Sequence, residues 1–290
     1  MPSTRFPRSF MAARYTALVW AGVLPAVVGQ ALAQEADAEK PEAEKAVEVV
    51  EIPKTTLSIT LVPVEIEGGK RLLVAQREIC WDLYDTFVFS LDQDDPFNPD
   101  DGAIVTRPTK PYINMDRGWG HTNYPAMGMS QLAASEFCVW LSHRTGRSFR
   151  LLTEAEWEAI AAQSGTTQEN IDARAWHAGN AGKVTHARAT KEADDLGLYD
   201  LLGNVAEWCW TAEGKPIARG GSYLDEAETL SPKSRLEPDR SWNATDPQIP
   251  KSKWWLADCT WVGIRPVLVV ETEPPANDDA EKDGNEPVLR

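Results

Sequence analysis

The sequence predicts one mixed domain of strands and helices, residues 56–270, between two acidic segments of low apolar content. A length of 290 residues suits one large domain or two small ones. No low-complexity break or internal repeat interrupts residues 56–270, and the range contains both strand-type alternation and helix-type periodicity. A single domain is therefore the simplest interpretation.

The first 33 residues have the pattern of a secretory signal peptide. The positive n-region contains Arg5, Arg8 and Arg14. An apolar stretch at residues 15–28 follows, which is too short to span a bilayer comfortably. Ala31-Leu32-Ala33 is typical of a cleavage site before Gln34. We therefore expect an exported mature chain, periplasmic or secreted, that begins near Gln34; a retained anchor is the less favoured alternative.

The two flanking segments resemble each other in composition. Residues 34–55 are rich in Glu, Ala and Lys and predict a disordered acidic linker, and residues 271–290 predict a solvated acidic tail. The formal net charge is −15 and there is no basic stripe, which argues against nucleic acid as a partner. We expect a monomer with no membrane span in the mature chain.

Local patterns place the first elements of the domain. Residues 57–64 and 71–75 predict two paired strands around the turn Glu67-Gly68-Gly69. Residues 80–89 predict a helix because Trp81, Tyr84, Phe87 and Val88 fall on one face.

The two clearest helices follow. Ser130 and Gly146 have the positions of an N-cap and a C-terminal stop around a helix that ends near Thr145. Thr153 and Glu156 have the spacing of a capping box, which predicts a second helix after Thr153. Two later strands are predicted at Arg219–Tyr223 and Val262–Val270.

The chain has four cysteines, Cys80, Cys138, Cys209 and Cys259. An even count in an oxidising compartment allows one or two disulfides, while buried free thiols are the favoured interpretation for most of them. No pair has C-x-x-C spacing, so zinc or thioredoxin-like chemistry has little support.

The apolar stretch Gly197–Trp208 carries two carboxylates, two glycines and an asparagine. Its oxygens could converge on a hard cation such as Ca²⁺. The alternative is a buried turn in which Asn204 and Glu207 hydrogen-bond to loop backbone. Composition alone favours the buried turn, and both alternatives remain open at this point.

Four motifs occur in order: Arg150–Glu158, Gly197–Trp208, Arg219–Ser222 and Gly263–Arg265. Together with Phe137–Ser142 and Ala175–Asn180 they resemble the formylglycine-generating enzyme (sulfatase-modifying factor) family over residues 56–270. The resemblance implies a single compact α+β domain of the C-type-lectin-like kind, with little regular secondary structure.

The resemblance also implies a calcium site in the second motif. Its ligands would be the Asp200 side chain, the carbonyls of Gly203 and Val205, and the Glu207 side chain. This sequence has Asp where the enzyme has Asn, which keeps an oxygen ligand and adds charge. The resemblance therefore favours calcium over the plain turn.

Family members oxidise a cysteine of a sulfatase to formylglycine with O₂ and a copper ion held by two cysteine thiolates. The corresponding stretch here, Ala227–Arg235, contains no cysteine, and Ala227 and Pro232 fall at the two positions. Soft thiolates are the ligands that suit Cu(I), so copper is not expected and no catalytic residue is assigned. Only Cys209 and Cys259 could be recruited instead.

Three functions remain open. The first is an exported non-oxidase scaffold or binding module for an extended peptide; the second is a divergent formylglycine-generating oxidase. A different enzyme on the same scaffold is the third, with His121, His177, Asp258 and Arg235 as its polar candidates. The binding candidates are Trp119, Trp176, Trp254, Trp255 and Arg235, with Trp242 and Trp261 as further aromatic residues. We expect at least half of these tryptophans in the core and the pair Trp254-Trp255 to be exposed.

Overall fold

The computed structural model describes residues 46–95, 102 and 104–270. The predictions for residues 1–33, 34–45 and 271–290 lie outside the described residues. No helix within the described ranges has the length and apolar content that crossing a bilayer requires.

In these ranges nine strands form one sheet in the order β1-β2-β3-β9-β4-β5-β6-β7, with β8 paired to β5. The strands are β1 Glu48–Glu51, β2 Ser58–Ile66, β3 Lys70–Ala75, β4 Phe149–Thr153, β5 Ala206–Trp210, β6 Pro216–Arg219, β7 Arg235–Leu236, β8 Val262–Gly263 and β9 Pro266–Val269. The β4–β5 and β5–β8 pairs are parallel and the others are antiparallel. This open sheet with few helices confirms the mixed α+β class.

The hairpin β2–β3 forms where the alternation predicted it. Gly68 and Gly69, with φ of 82° and 73°, reverse the chain between the two strands. The prediction of a disordered linker, however, is wrong for residues 48–51, because these residues form β1 and pair with β2. Val50 and Ile52 supply the apolar contacts that hold this edge strand, at 7% and 1% exposure.

Four α-helices occur in the described chain: α1 Trp81–Phe89, α2 Gln131–Thr145, α3 Glu154–Ala161 and α4 Ile171–Arg174. The predicted caps are confirmed. Ser130 accepts a hydrogen bond from the Ala133 amide at 3.2 Å, and Gly146 ends α2 with φ of 68°. Thr153 and Glu156 form the reciprocal capping box at the start of α3.

The sheet separates two apolar clusters. Along β3, Leu72 and Val74 contribute to one cluster and Leu73 and Ala75 to the other. Residues of α1 and α2 pack in the larger cluster and residues of α3 in the smaller one. Burial on both faces explains why β3 reads as a continuous apolar run.

Two strand predictions need correction. The strand predicted at Arg219–Tyr223 ends at Arg219, because Gly220 and Gly221 take φ of 95° and 68° and turn the chain away. The strand predicted at Val262–Val270 is divided into β8 and β9 by the residues between them, where Arg265 leaves the ladder to pair with Glu207. All four cysteines are free and buried, so the buried-thiol alternative is confirmed.

Candidate functional site: a buried acidic cluster and an aromatic cleft

The stretch Gly197–Trp208 folds as a buried turn before β5. Asp200, Gly203 and Asn204 all have left-handed backbone angles, with φ of 54°, 79° and 48°. Asp and Asn are the side-chain-bearing residues that tolerate this region best. A Cβ at Gly203 would lie 2.2 Å from the Trp176 carbonyl oxygen, so the turn needs glycine there.

Asn204 joins four separate segments around this turn. Its Nδ2 donates to Glu78 Oε2 at 2.9 Å, and its Oδ1 accepts from the His186 amide at 3.0 Å. Its backbone amide donates to the Trp176 carbonyl at 2.8 Å and its carbonyl accepts from the Tyr223 amide at 2.9 Å. The predicted hydrogen bonding of Asn204 to loop backbone is confirmed, and the residue positions the whole site.

Glu207 and Arg265 form a fully buried ion pair. Arg265 Nε donates to Glu207 Oε1 at 2.6 Å, and Trp157 Nε1 donates to Glu207 Oε2 at 2.8 Å. The guanidinium also donates to the carbonyls of Ala75 at 2.9 Å and Tyr199 at 2.8 Å. Burial alone would lower the pKa of Arg265, but the negative charges of Glu207, Glu78 and Asp200 raise this pKa overall. This pair joins the second and fourth sequence motifs.

Two further buried carboxyl groups, Glu78 and Asp200, belong to the same cluster. Glu78 Oε1 accepts from the Val205 amide at 3.1 Å, and Asp200 Oδ2 accepts from the Ala189 amide at 2.7 Å. Burial, reinforced by the charge of Asp200, raises the pKa of Glu78 well above its usual range. Burial also raises the pKa of Asp200. Sequence reasoning missed Glu78, whose only signal was a single acid before the apolar run at residues 79–81.

The predicted calcium ligands have a mixed fit. The set is all-oxygen, and Asp200 Oδ1 is buried without a hydrogen-bond partner in the described chain. Each Glu207 oxygen already accepts one hydrogen bond and retains a second lone pair. In the described ranges no group of three or more His, Cys, Asp or Glu side chains is arranged to hold a metal. The predicted set contains only two such side chains, Asp200 and Glu207. The free oxygen of Asp200 suits a hard cation, whereas the Glu207 carboxylate is already paired with Arg265.

The predicted exposure of Trp254 and Trp255 is wrong. The two side chains are 5% and 4% exposed. Trp255 Nε1 donates to the Thr109 carbonyl at 2.8 Å, and its ring packs edge-on against Tyr84 with centroids 5.8 Å apart. The Pro-rich loop therefore turns these rings into the core, where their apolar area is removed from water.

The other predicted binding residues occupy separate places. Trp119 is half-buried and lies edge-on to Tyr223 with centroids 5.5 Å apart. Trp176 is half-buried, stacks on His186 at 3.6 Å, and has Lys191 Nζ 4.3 Å from its ring centroid. No hydrogen bond or ring contact among the described residues joins these two tryptophans to each other.

Arg235 directly precedes Leu236 and Glu237, which line a cleft next to the Arg219–Ser222 motif, but Arg235 does not line this cleft itself. Its guanidinium contacts Glu154 at 2.7 Å and Glu237 at 2.5 Å. The cleft has a volume of about 270 Å³ and is lined by Ser222, Leu224, Asp225, Leu236, Glu237, Trp242 and Trp261. The Trp242 and Trp261 rings meet edge to face with centroids 5.8 Å apart. These two tryptophans, rather than Trp119 or Trp176, line the cleft.

The stretch Ala227–Arg235 forms a closed turn beside this cleft. The Ser231 amide donates to Ser234 Oγ at 2.9 Å, and that hydroxyl donates to the Thr229 carbonyl at 2.7 Å. Arg219 Nη2 donates to the Pro232 carbonyl at 2.7 Å. The turn is therefore held by its own hydroxyl groups and by the arginine of the third motif.

The two cysteines considered for recruitment belong to different apolar clusters. Cys209 lies in the smaller cluster and Cys259 in the larger one. Burial raises the pKa of Cys259 to about 12 and the pKa of Cys209 well above its usual range. Both groups are therefore neutral thiols near pH 7, and thiolate is the form that binds copper.

The polar residues proposed for a different enzyme also lie apart. His121 contacts Asp116 at 2.9 Å and Asp85 at 3.1 Å, while His177 contacts Asp172 at 2.6 Å. Asp258 accepts from the Thr245 amide and hydroxyl. In the described residues these groups do not form a joint catalytic arrangement.

Comparison with known proteins agrees with the sequence motifs. Residues 73–246, more than half of the chain, match the sulfatase-modifying factor enzyme 1-like domain. The chain is 31% identical over 114 residues to the chaperone protein LppX of Paenibacillus barcinonensis, which is 28% of this chain and 40% of that protein. It is 29% identical over 130 residues to inactive C-alpha-formylglycine-generating enzyme 2 of Bos taurus, which is 36% of this chain and 40% of that enzyme. The chain thus spans less than half the length of both curated relatives.

The fold is also similar to a solved structure, Treponema denticola variable protein 1. The TM-score is 0.56 at 18% identity, and the likeness covers 77% of this chain and 99% of that one. At this identity the likeness concerns the fold alone, which confirms the C-type-lectin-like expectation. The matched domain, with the four motifs meeting around Glu207, shows that this chain belongs to the sulfatase-modifying factor (formylglycine-generating enzyme) family.

Proposed function

We propose that this chain is an exported binding member of the family that does not generate formylglycine. The observation that carries the proposal is the content of Ala227–Arg235, where a hydroxyl-bonded turn replaces the thiol pair that the resemblance implies. The buried neutral thiols of Cys209 and Cys259 support it, because a copper site needs thiolates that converge.

The proposed ligand is an extended peptide that binds in the cleft beside the third motif. Its floor is aromatic and its rim carries the exposed apolar side chain of Leu224, at 44% exposure. Such a surface offers large contact area with polar groups at the edge, which is the usual composition of a peptide-binding site. Glu237 supplies a carboxylate acceptor in the same lining.

We also propose that calcium stabilises the buried turn Gly197–Trp208. Asp200 would be the principal side-chain ligand, with the carbonyls of Gly203 and Val205 and the Glu207 carboxylate completing the set. The support is the unpartnered Asp200 Oδ1 and the excess of buried carboxyl groups over Arg265. The ion would supply positive charge and rigidity to the turn.

Export rests on the sequence of residues 1–33. Mass spectrometry of the full chain expressed with its own N-terminus in a bacterium should give a mature chain that begins near Gln34 outside the cytoplasm. An intact N-terminus in a cytoplasmic fraction would contradict this part of the proposal.

The oxidase alternative is tested directly. The purified mature protein is supplied with copper, O₂ and a cysteine-containing sulfatase peptide, and the product is followed by mass spectrometry. We expect no formylglycine product. We also expect no tight, thiol-dependent binding of Cu(I), which is binding that would be lost when the thiols are blocked. Turnover above a copper-only control would overturn the non-oxidase proposal.

The cleft is tested with matched surface variants. Leu224→Glu changes an exposed leucine of the cleft, and Leu132→Glu changes one on α2, at 39% exposure. Peptides selected on the immobilised protein from a random 12-residue library are measured by fluorescence polarisation. Burial of one leucine contributes about 1.5–3 kcal/mol, so Leu224→Glu should weaken binding by roughly tenfold or more and Leu132→Glu should not. Equal affinities for the two variants would exclude the cleft.

Calcium is tested by calorimetry and thermal unfolding. Added CaCl₂ should give a saturable heat and raise Tm relative to EDTA, and Asp200→Asn should weaken both effects. Identical melting curves in calcium and EDTA would refute the calcium proposal without affecting the peptide site.

A further inference from the structure

A second cavity, of about 180 Å³, is lined in part by Glu78, whose carboxyl group also accepts hydrogen bonds from the buried turn. It is bordered by the start of β2, the residues after β3, the first turn of α1 and one residue of a later loop. Its polar lining consists of Ser58, Thr60, Gln76, Arg77 and Arg188, in addition to Glu78. This cavity is separate from the peptide cleft, with which it shares no lining residue.

The cavity is rich in donors that have no partner within the described protein. Arg188 Nε is buried and makes no hydrogen bond. The hydroxyls of Ser58 and Thr60 and the amide of Gln76 make no side-chain hydrogen bond to any described residue. A buried donor without a partner is costly, so a group that accepts a hydrogen bond from Arg188 Nε would stabilise this arrangement. The exposed Ser58 and the half-buried Thr60 and Gln76 could donate to the same group.

The Arg188 guanidinium is held by hydrogen bonds, and the exposed Arg77 side chain lies against one aromatic ring. Arg188 donates through Nη1 to the Glu78 carbonyl and through Nη2 to Asn123 Oδ1 at 2.9 Å. The Arg77 guanidinium carbon lies over the Tyr199 ring, 5.5 Å from its centroid. The planar guanidinium suits a carboxylate or phosphate oxygen pair, and a held guanidinium loses less freedom on binding.

The acids nearest the cavity accept hydrogen bonds elsewhere. The Glu78 carboxyl accepts from Asn204 and Val205. Asp200 Oδ2 accepts from the Ala189 amide, and Asp82 Oδ2 accepts from the Asn123 amide at 2.8 Å. None of these carboxyl groups forms an ion pair with Arg77 or Arg188 among the described residues. The charges of Arg77 and Arg188 act on the nearby Asp200, but neither guanidinium is bonded to a carboxylate of the described chain, so both can donate to a ligand.

We propose that this cavity binds a small oxyanion, a carboxylate or phosphate group, between Arg77 and Arg188. Thr60, Ser58 and Gln76 supply the neutral donors around it. The N-terminus of α1, with Cys80 directly before it and Leu83 in its first turn at the cavity wall, adds the positive end of a helix dipole.

The test uses sodium phosphate and sodium succinate as probes, titrated into the mature protein at constant ionic strength with NaCl as reference. Calorimetry measures the affinity, and the arginine Nε–H resonances report contact at Arg188. We expect saturable binding of at least one probe, and the two titrations distinguish phosphate from carboxylate chemistry. Arg77→Gln should weaken binding by about tenfold or more, since it removes a charge-assisted hydrogen bond to the probe.

The matched control is Arg71→Gln, which removes the same charge from an exposed residue of β3 outside the cavity. A second variant, Thr60→Val, removes one hydroxyl with little change in shape and should weaken binding severalfold. Failure of both probes to bind beyond the NaCl reference would overturn the proposal. Equal losses for Arg77→Gln and Arg71→Gln would also overturn it, because they would indicate a general charge effect.

Discussion

Glu156 gives the sharpest test of how the scaffold is stabilised. Its carboxylate accepts hydrogen bonds from Lys70 Nζ at 2.6 Å, from two Arg150 nitrogens at 2.7 Å each, and from the Thr153 amide at 2.9 Å. Burial alone would raise the pKa of Glu156, but Arg150 and Lys70 together lower it to about 2. The Glu156 side chain is 5% exposed, whereas those of Lys70 and Arg150 are 52% and 34% exposed, so solvent partly screens these contacts.

The size of the effect follows from linkage. A pKa of about 2 in the folded state, against an ordinary value of 4.5, corresponds to about 3 kcal/mol of stability at neutral pH. Because the folded pKa is lowered, this stability is fully present above pH 4.5 and is lost as the pH falls toward 2. Glu156→Gln removes the charge and should lower the free energy of unfolding by about 2–4 kcal/mol at pH 7.

Urea unfolding at pH 7, 5, 4 and 3 measures this difference. The gap between the wild type and Glu156→Gln should be largest at pH 7 and narrow below pH 4.5. Glu136→Gln is the control, because the Glu136 side chain on α2 makes no hydrogen bond or ion pair in the described chain. A gap that does not change between pH 7 and 3, or equal losses for the two variants, would refute the reasoning.

Three further predictions concern the buried site and the core. Gly203→Ala should cost more than about 2 kcal/mol in urea unfolding, because its Cβ would meet a carbonyl at 2.2 Å; Gly182→Ala, with φ of 62° and open space, should cost about 1 kcal/mol. Glu207→Gln should cost about 3–5 kcal/mol because it leaves Arg265 as a buried unpaired charge, and a loss below 1 kcal/mol would contradict this pairing. Tyr84→Phe should leave Tm unchanged or raise it, since this buried hydroxyl has no partner in the described chain; a clear fall in Tm would indicate a hidden partner.

Local features of the fold were predictable from the sequence, and long-range ones were not. The caps at Ser130 and Thr153 depend on residues three positions away, so spacing alone identifies them. Glu78 contacts Asn204, which lies 126 residues further along the chain, and no local pattern encodes that contact. Trp254 and Trp255 occupy a loop of polar and proline residues, and their burial depends on neighbours supplied by distant helices.

The motifs that identify the family hold the scaffold together. Trp157 of the first motif and Arg265 of the fourth both bind Glu207 of the second. Arg219 of the third motif is buried and pairs with Glu154 and Glu158 of the first at 2.8 Å each.

The stretch Ala227–Arg235 meets these pairs at two points: Arg219 donates to the Pro232 carbonyl, and Arg235 Nε donates to Glu154 Oε1 at 2.7 Å. Removing one partner of such a buried ion pair costs several kcal/mol. The four motifs therefore stabilise the fold whether or not the turn between them carries thiols. The four motifs identify the family and so establish the fold, whereas the chemistry depends on the turn and on the cleft beside it.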